Sequence, residues 1–167
     1  MAMTFLPAES YLAEHQLKFD TLTHPQSATS MQTARLAHIS PAQMVKSVIL
    51  WNGDGYLMCL LPASHVLVLS WVDRETGHKH RLATEEELAK QLRGCEPGAV
   101  PALGQAFDMR VLWDHCLKQL DDVYFEAGDH KRLIHMRGAE FMSLLDQESA
   151  ISLSCSSDSM EYYQHIH

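Results

Sequence analysis

An α+β fold is what this chain predicts, built on a mixed or antiparallel sheet that curls toward a barrel and is flanked by helices. Three observations carry that prediction. Strand-like runs are joined in pairs by short turns rich in Asn, Gly and Asp, the signature of hairpins. Helix-start signals at Pro7, Ser30 and Thr84 fall between those runs. The Gly-rich fingerprints of dinucleotide-binding and P-loop folds are absent, so nothing points to a doubly wound parallel sheet.

In chain order, residues 7–17 read as an opening helix, with Pro7 in its first turn and Tyr11, Leu12 and His15 spaced for one face. Residues 18–23 look extended and end at His24-Pro25. Ser30 is placed to cap a second helix through about residue 38, and Pro41 breaks the chain before the next strand. Residues 45–51 and 56–61 form an antiparallel pair around Asn52-Gly53-Asp54-Gly55. Branched residues predict a strand over 66–71, and a short strand over 78–82 follows the turn Glu75-Thr76-Gly77. Thr84-Glu85-Glu86-Glu87 is a capping box for a helix through residue 93, with Gly94 at its exit. A buried strand over 110–113, a helical turn over 114–120, a hairpin of 123–126 with 133–136 and an amphipathic helix over 139–145 complete the domain. Residues 1–145 therefore read as one domain. Residues 146–167 are Ser-rich, have little to bury and read as a loosely held tail.

The composition of the 167 residues, 46% hydrophobic and 20% charged, is that of one globular domain. The first residues lack the basic and long apolar regions of a signal peptide, and the apolar runs are broken by Trp51-Asn52-Gly53 and by Pro62. No membrane partner is expected, and a cytoplasmic location is. The four cysteines have no paired spacing and read as reduced thiols. A formal net charge of −8 argues against broad coating of nucleic acid, since that mode needs many basic contacts to phosphates; DNA is not an expected partner. Among eleven histidines, His78 and His80 share a strand face, but the sequence identifies no third ligand. Surface histidines are favoured over a metal pair, and neither a metal nor a cofactor is expected.

Two features carry chemistry. Lys46 interrupts the run Met44-Val45-Lys46-Ser47-Val48-Ile49-Leu50, and strand alternation puts it on the face of Met44, Val48 and Leu50. A cation there either snorkels to solvent or points into a cleft where an anion meets it. Ser47, by the same alternation, faces the other way. The second feature is the loop Gly98-Ala99-Val100-Pro101-Ala102-Leu103-Gly104. No Gly-x-Ser-x-Gly elbow or recognisable cysteine nucleophile accompanies them, so ordinary covalent hydrolysis is poorly supported.

The order of helix, His24-Pro25, helix, Val45-Lys46-Ser47-Val48-Ile49-Leu50, the Gly98 loop, Val111-Leu112-Trp113-Asp114 and Phe125-Glu126-Ala127-Gly128 resembles the YbaK family, editing domains associated with prolyl-tRNA synthetase. The resemblance covers roughly residues 8–145. It implies a mixed, largely antiparallel, barrel-like sheet flanked by helices, and metal-independent hydrolysis of the ester between a wrong amino acid and the tRNA 3′ end. Lys46 matches the family's strand lysine, implied to engage the terminal phosphate or ribose. Gly98 matches the glycine of a Gly-x-x-x-Pro loop, whose backbone holds the ester and a water. Ala99, Val100, Pro101 and Ala102 are then implied to line the amino-acid pocket, with His24 and Asp114 as further candidates. Both of these also have structural readings, His24 as a turn residue before proline and Asp114 as a helix cap.

One position departs from the pattern. Four residues on from Gly98 stands Ala102, where the family has proline, and the nearest proline, Pro101, is one position early. Losing that ring frees a backbone angle and restores a donor, which reshapes the pocket wall. The leading expectation is a trans-acting aminoacyl-tRNA deacylase for a small amino acid such as alanine, serine or cysteine. Its partner is the aminoacyl-tRNA 3′ end, with a synthetase or elongation factor holding the rest of the tRNA. The alternatives are a non-catalytic module of the same fold that binds tRNA, nucleotide or a protein, and a metal-dependent hydrolase using His78 and His80.

Overall fold

Five short helices and ten strands alternate along the described residues, 6–27 and 29–158, of the computed structural model. Helix α1 (Pro7–Glu14) starts on its proline and buries Ala8 and Leu12, one turn apart, against the main core. Strand β1 (Asp20–Thr23) follows, then α2 (Ser30–Leu36). The cap of α2 is Thr29 rather than the expected Ser30: its hydroxyl accepts from the Gln32 amide at 3.1 Å, the usual N-cap bond displaced by one residue.

Strands β2 (Val45–Trp51) and β3 (Tyr56–Pro62) form the predicted hairpin, with Lys46 opposite Leu61 and Ile49 opposite Met58. Asn52 closes its turn by accepting from the Asp54 and Gly55 amides. The expected strand over 66–71 is only partly realised. Strand β4 (His65–Leu67) gives way to helix α3 (Leu69–Thr76), which ends on Gly77 in the left-handed region at φ 73°. Val68 and Val72, one helical turn apart, are both buried, so the same apolar run serves a helix face as well as it would a strand. Strand β5 (Arg81–Leu82) is a two-residue remnant of the expected 78–82 strand, and helix α4 (Glu85–Gln91) carries the capping box: Thr84 accepts from Glu87 N, and Glu87 accepts from Thr84 N.

After the Gly98 loop come β6 (Arg110–Asp114), β7 (Asp122–Glu126), β8 (Arg132–Arg137) and α5 (Gly138–Met142). The segment expected to be a loose tail is paired over its described part. Strand β9 (Ala150–Ile151) lies parallel to β6, and β10 (Ser154–Ser156) lies antiparallel to β4. Its physical anchor is Leu153, fully buried, with Asp114 accepting from the neighbouring amides; residues 159–167 lie outside the described residues.

The main sheet runs β5-β2-β3-β6-β9, parallel only at β3–β6 and β6–β9. A second, antiparallel sheet, β1-β8-β7, meets it where Met44 bridges Tyr124 just before β2. The sheet is thus mixed and largely antiparallel, and no closed barrel forms among the described residues. Val45, Ile49, Met58, Leu60, Trp113 and Phe125 face the main core, while Leu50, Leu61, Leu67, Val72 and Leu112 form a second cluster on the opposite face. No helix of the described residues is long and apolar enough to cross a membrane.

Candidate active site

Lys46 sits as alternation requires. Its neighbours by spacing, Val48 and Leu50, belong to the second cluster, and Met44 belongs to a third cluster beneath α2 with Ala34 and Leu133. The residue is half-buried, and among the described residues its ammonium makes no hydrogen bond or ion pair. Burial pulls its pKa below the ordinary lysine value. A half-desolvated cation without a carboxylate partner is poised for an external anion.

The Gly98 loop lies on the other side of β2. Ser47, not Lys46, touches it: Ser47 Oγ donates to the Val100 carbonyl at 3.0 Å. Gly98 itself is exposed at φ 80°, a backbone state that suits glycine. Ala99, Pro101 and Ala102 are buried, and Ala102 belongs to the main core, so these residues shape the loop from beneath; Val100 is half-buried. Two bonds hang the loop from the β7–β8 turn. Glu96 N donates to the Gly128 carbonyl at 2.7 Å, and His130 Nε2 donates to the Pro97 carbonyl. A cavity of about 40 Å³ lies beside the loop, lined by Leu88, Leu92, Cys95, Pro97 and Val100. Two larger clefts, about 510 Å³ between Gln105, Arg110 and Ser149 and about 520 Å³ between Trp51, Tyr56 and Phe107, contain none of these site residues.

His24 is buried behind the turn that carries the loop. Its Nδ1 donates to the Pro25 carbonyl at 2.7 Å, and its Nε2 stands 3.6 Å from Glu126 Oε2. Glu126 also accepts from the Thr33 hydroxyl on α2. Because carbonyls fix one nitrogen of each ring as a donor, His24 Nε2 and His130 Nδ1 bear lone pairs when neutral. These two atoms and Glu126 Oε2 are buried without hydrogen-bond partners among the described residues. Burial, outweighing the bond from Thr33 and the nearby histidines, raises the Glu126 pKa.

Asp114, the last of the expected site residues, is buried and fully engaged. It accepts from Cys116 N, Leu153 N, Ser154 N and Ser154 Oγ, at 3.0, 3.1, 3.0 and 2.7 Å. Burial would raise its pKa, but the bonds from Cys116, Ser154 and Leu153 prevail and hold it below the usual carboxylate value. His65, Asp114 and Cys116 present candidate metal-ligand atoms within 4.8 Å of one another. Asp114 is already saturated by donors and His65 Nδ1 is engaged by Ser154 Oγ at 2.9 Å, so hydrogen bonding accounts for the cluster. His80, one of the expected surface pair, bonds Asp73 at 2.9 Å through Nδ1.

The structure therefore brings Pro97, Gly98 and Val100 together with Ser47 and His130, and puts Lys46 with His65 and Asp114 on the opposite face of β2. Sequence reading missed Ser47, His65, Glu126 and His130. The turn Gly128-Asp129-His130 at the end of an apolar strand was the one available signal for the last two. His65 and Ser47 carried none.

A mixed sheet that bears a lysine without a partner among the described residues, and a glycine loop hung from its rim, is the frame of a YbaK-type editing domain. A family model described as an aminoacyl-tRNA editing domain matches residues 24–144, well over half of the chain, and the chain belongs to that family. The proline–tRNA ligase of Xanthomonas oryzae pv. oryzae (strain MAFF 311018) is 29% identical over 143 residues, covering 84% of this chain and 24% of the ligase. That of Xanthomonas axonopodis pv. citri (strain 306) is 29% identical over 118 residues, covering 70% and 20%. The chain thus spans about a quarter or less of the ligases it matches. A solved structure provisionally identified as a trans-editing enzyme for prolyl-tRNA synthetase superposes with a TM-score of 0.76 at 22% identity, covering 90% of this chain and 96% of its own. The hypothetical protein APE2540 gives the same TM-score at 19% identity over 89% and 99%. At these identities the likeness is one of fold.

Proposed function

We propose that this chain is a trans-acting aminoacyl-tRNA deacylase that hydrolyses the ester of a mischarged tRNA carrying a small amino acid such as alanine, serine or cysteine. The observation that carries this reading is Lys46, half-buried and without a partner among the described residues, in the strand run that resembles the family's lysine strand. Its ammonium orients the phosphate or ribose of the tRNA 3′ end. The tRNA end passes from Lys46 across the edge of β2, where β5 pairs only with Leu50 and Trp51. The ester thus lies over the Gly98 loop, and amides there stabilise the oxyanion as water adds to the carbonyl carbon. Collapse returns the electron pair to the carbonyl and expels the ribose oxygen, which takes up a proton, leaving an amino acid and a free tRNA end. No side-chain nucleophile or metal enters the scheme. With a formal charge of −8, the protein engages little of the tRNA body, and a synthetase or elongation factor presents the rest.

A panel of mischarged tRNAs tests the reading. Purified protein releases amino acid from at least one of them, the rate is insensitive to chelators, and Lys46→Ala lowers it roughly ten-fold or more. Equal activity in the variant removes Lys46 from the mechanism. Survival of every charged tRNA alongside retained tRNA, nucleotide or protein binding favours the non-catalytic module, a reading motivated by Ala102 in place of the loop proline.

A further inference from the structure

Glu126 closes β7 where three segments of the chain meet. Thr33 on α2 has one hydroxyl proton for two acceptors, the Thr29 carbonyl at 3.0 Å and Glu126 Oε1 at 2.5 Å, and the nearer takes it. Ser27 Oγ then donates to Thr33 Oγ1. On the other side of the carboxyl, Oε2 stands 3.6 Å from His24 Nε2, whose ring already donates through Nδ1 to the Pro25 carbonyl. Without a proton between them, two lone pairs would face each other where neither atom reaches solvent. The pair therefore holds one proton, as O–H···N or as N–H···O. Burial, the largest influence on Glu126, favours keeping that proton on the carboxyl, while Thr33, His24 and His130 act the other way.

What the pair braces is the turn that carries the Gly98 loop. The His24 amide donates to the Lys131 carbonyl at 2.8 Å, so the backbone and the side chain of one residue grip both ends of residues 126–131. Between those ends, the Gly128 carbonyl accepts from Glu96 N at 2.7 Å, and His130 Nε2 donates to the Pro97 carbonyl. The loop thus hangs from a turn whose base is the contact of Glu126 with His24. We propose that Glu126 is a positioning residue for the Gly98 loop: the proton it shares with His24 locks the 126–131 turn and, through it, the direction in which the loop amides point. The inference rests on the deacylase reading, to which it adds a buried pair that acts from behind the loop.

Amide exchange tests it first, because it needs no turnover. Glu126→Leu removes both the shared proton and the acceptor for Thr33; the Glu96 amide then exchanges roughly ten-fold faster, while amides of the β2–β3 hairpin keep their wild-type rates. Glu126→Gln restores both bonds, its oxygen accepting from Thr33 and its amide donating to His24, and brings the Glu96 rate back to within about two-fold of wild type. Should Glu126→Leu not fold, His24→Leu breaks the pair from its other side and is read in the same way. On the tRNA that wild type deacylates, the leucine variant loses roughly five- to ten-fold in kcat with KM little changed, and the glutamine variant recovers most of the loss. Carbon-13 and nitrogen-15 spectra at neutral pH should show one proton on the pair, and an ionised carboxylate beside a neutral imidazole overturns the proposal. So does an unchanged Glu96 amide, a rise spread equally over β2 and β3, or a glutamine variant no better than leucine, each of which leaves the deacylase reading intact. Failure of wild type to hydrolyse any charged tRNA overturns both.

Discussion

Asp114 is the residue on which two regions of the chain converge. It caps the turn after β6 and, through Leu153 and Ser154, ties in strand β10. Asp114→Ala would strand three amides, two of them in a buried setting, and is expected to cost about 2–4 kcal/mol in urea unfolding. The pH dependence follows from its depressed pKa. Such a carboxylate contributes stability above its unfolded pKa of about 3.9, and that contribution is lost as pH falls through the lower folded value. Amide exchange in 153–156 should therefore quicken in that acid range in the wild type, and an exchange profile there that is flat with pH would contradict the role. At this scale the sequence was legible where a residue contradicted its surroundings, as Lys46 does on an apolar strand. Asp114 was also legible as a cap. His65 was not, because the serine that fixes it is 89 positions away in sequence. A comparable separation hides the pairing of His24 with Glu126, which the sheet order β1-β8-β7 brings about.

Among the elements, hairpins and capped helices were readable because their signals are local: Asn52 and the glycines after it specify one turn, and Thr84 with Glu87 specifies one helix start. Thr84→Ala should cost about 1 kcal/mol by thermal or urea unfolding. The run 66–72 was ambiguous because branched residues suit a strand, yet burial at Val68 and Val72 follows the helical period. Gly138, at the head of α5, shows a constraint that no periodicity announces. A Cβ there would stand 1.9 Å from the Leu120 carbonyl oxygen, and the Gly138 amide donates to Asp121 O at 2.7 Å. Gly138→Ala must move backbone against backbone, and a loss of about 3 kcal/mol or more is expected in the same measurement. A neutral effect would mean that the junction yields more readily than its packing implies.

For the molecule as a whole, the α+β class with a mixed or antiparallel sheet followed from hairpin signals, but the pairing of the segment after residue 145 did not. A Ser-rich composition promises little burial, and yet Leu153 is fully buried and Trp113 Nε1 donates to the Asp146 carbonyl at 2.8 Å. Single apolar residues in a polar segment carry no periodicity, so their docking is invisible until β4 and β6 offer pairing partners. Removal of residues 146–167 should therefore lower the melting temperature markedly, where a dispensable tail would leave it unchanged.

The family match ends at residue 144, while Ser154, which orients His65 and steadies Asp114, lies beyond it. The lysine and the loop are thus encoded in one stretch and the alignment of the imidazole beside them in another. Two such stretches can be recombined independently. A chimera that keeps residues 1–145 and takes its closing strand from a different source would inherit the reactive frame but receive a new setting for the group next to it. The surroundings of Lys46 would thereby change through a segment that lies outside the family match.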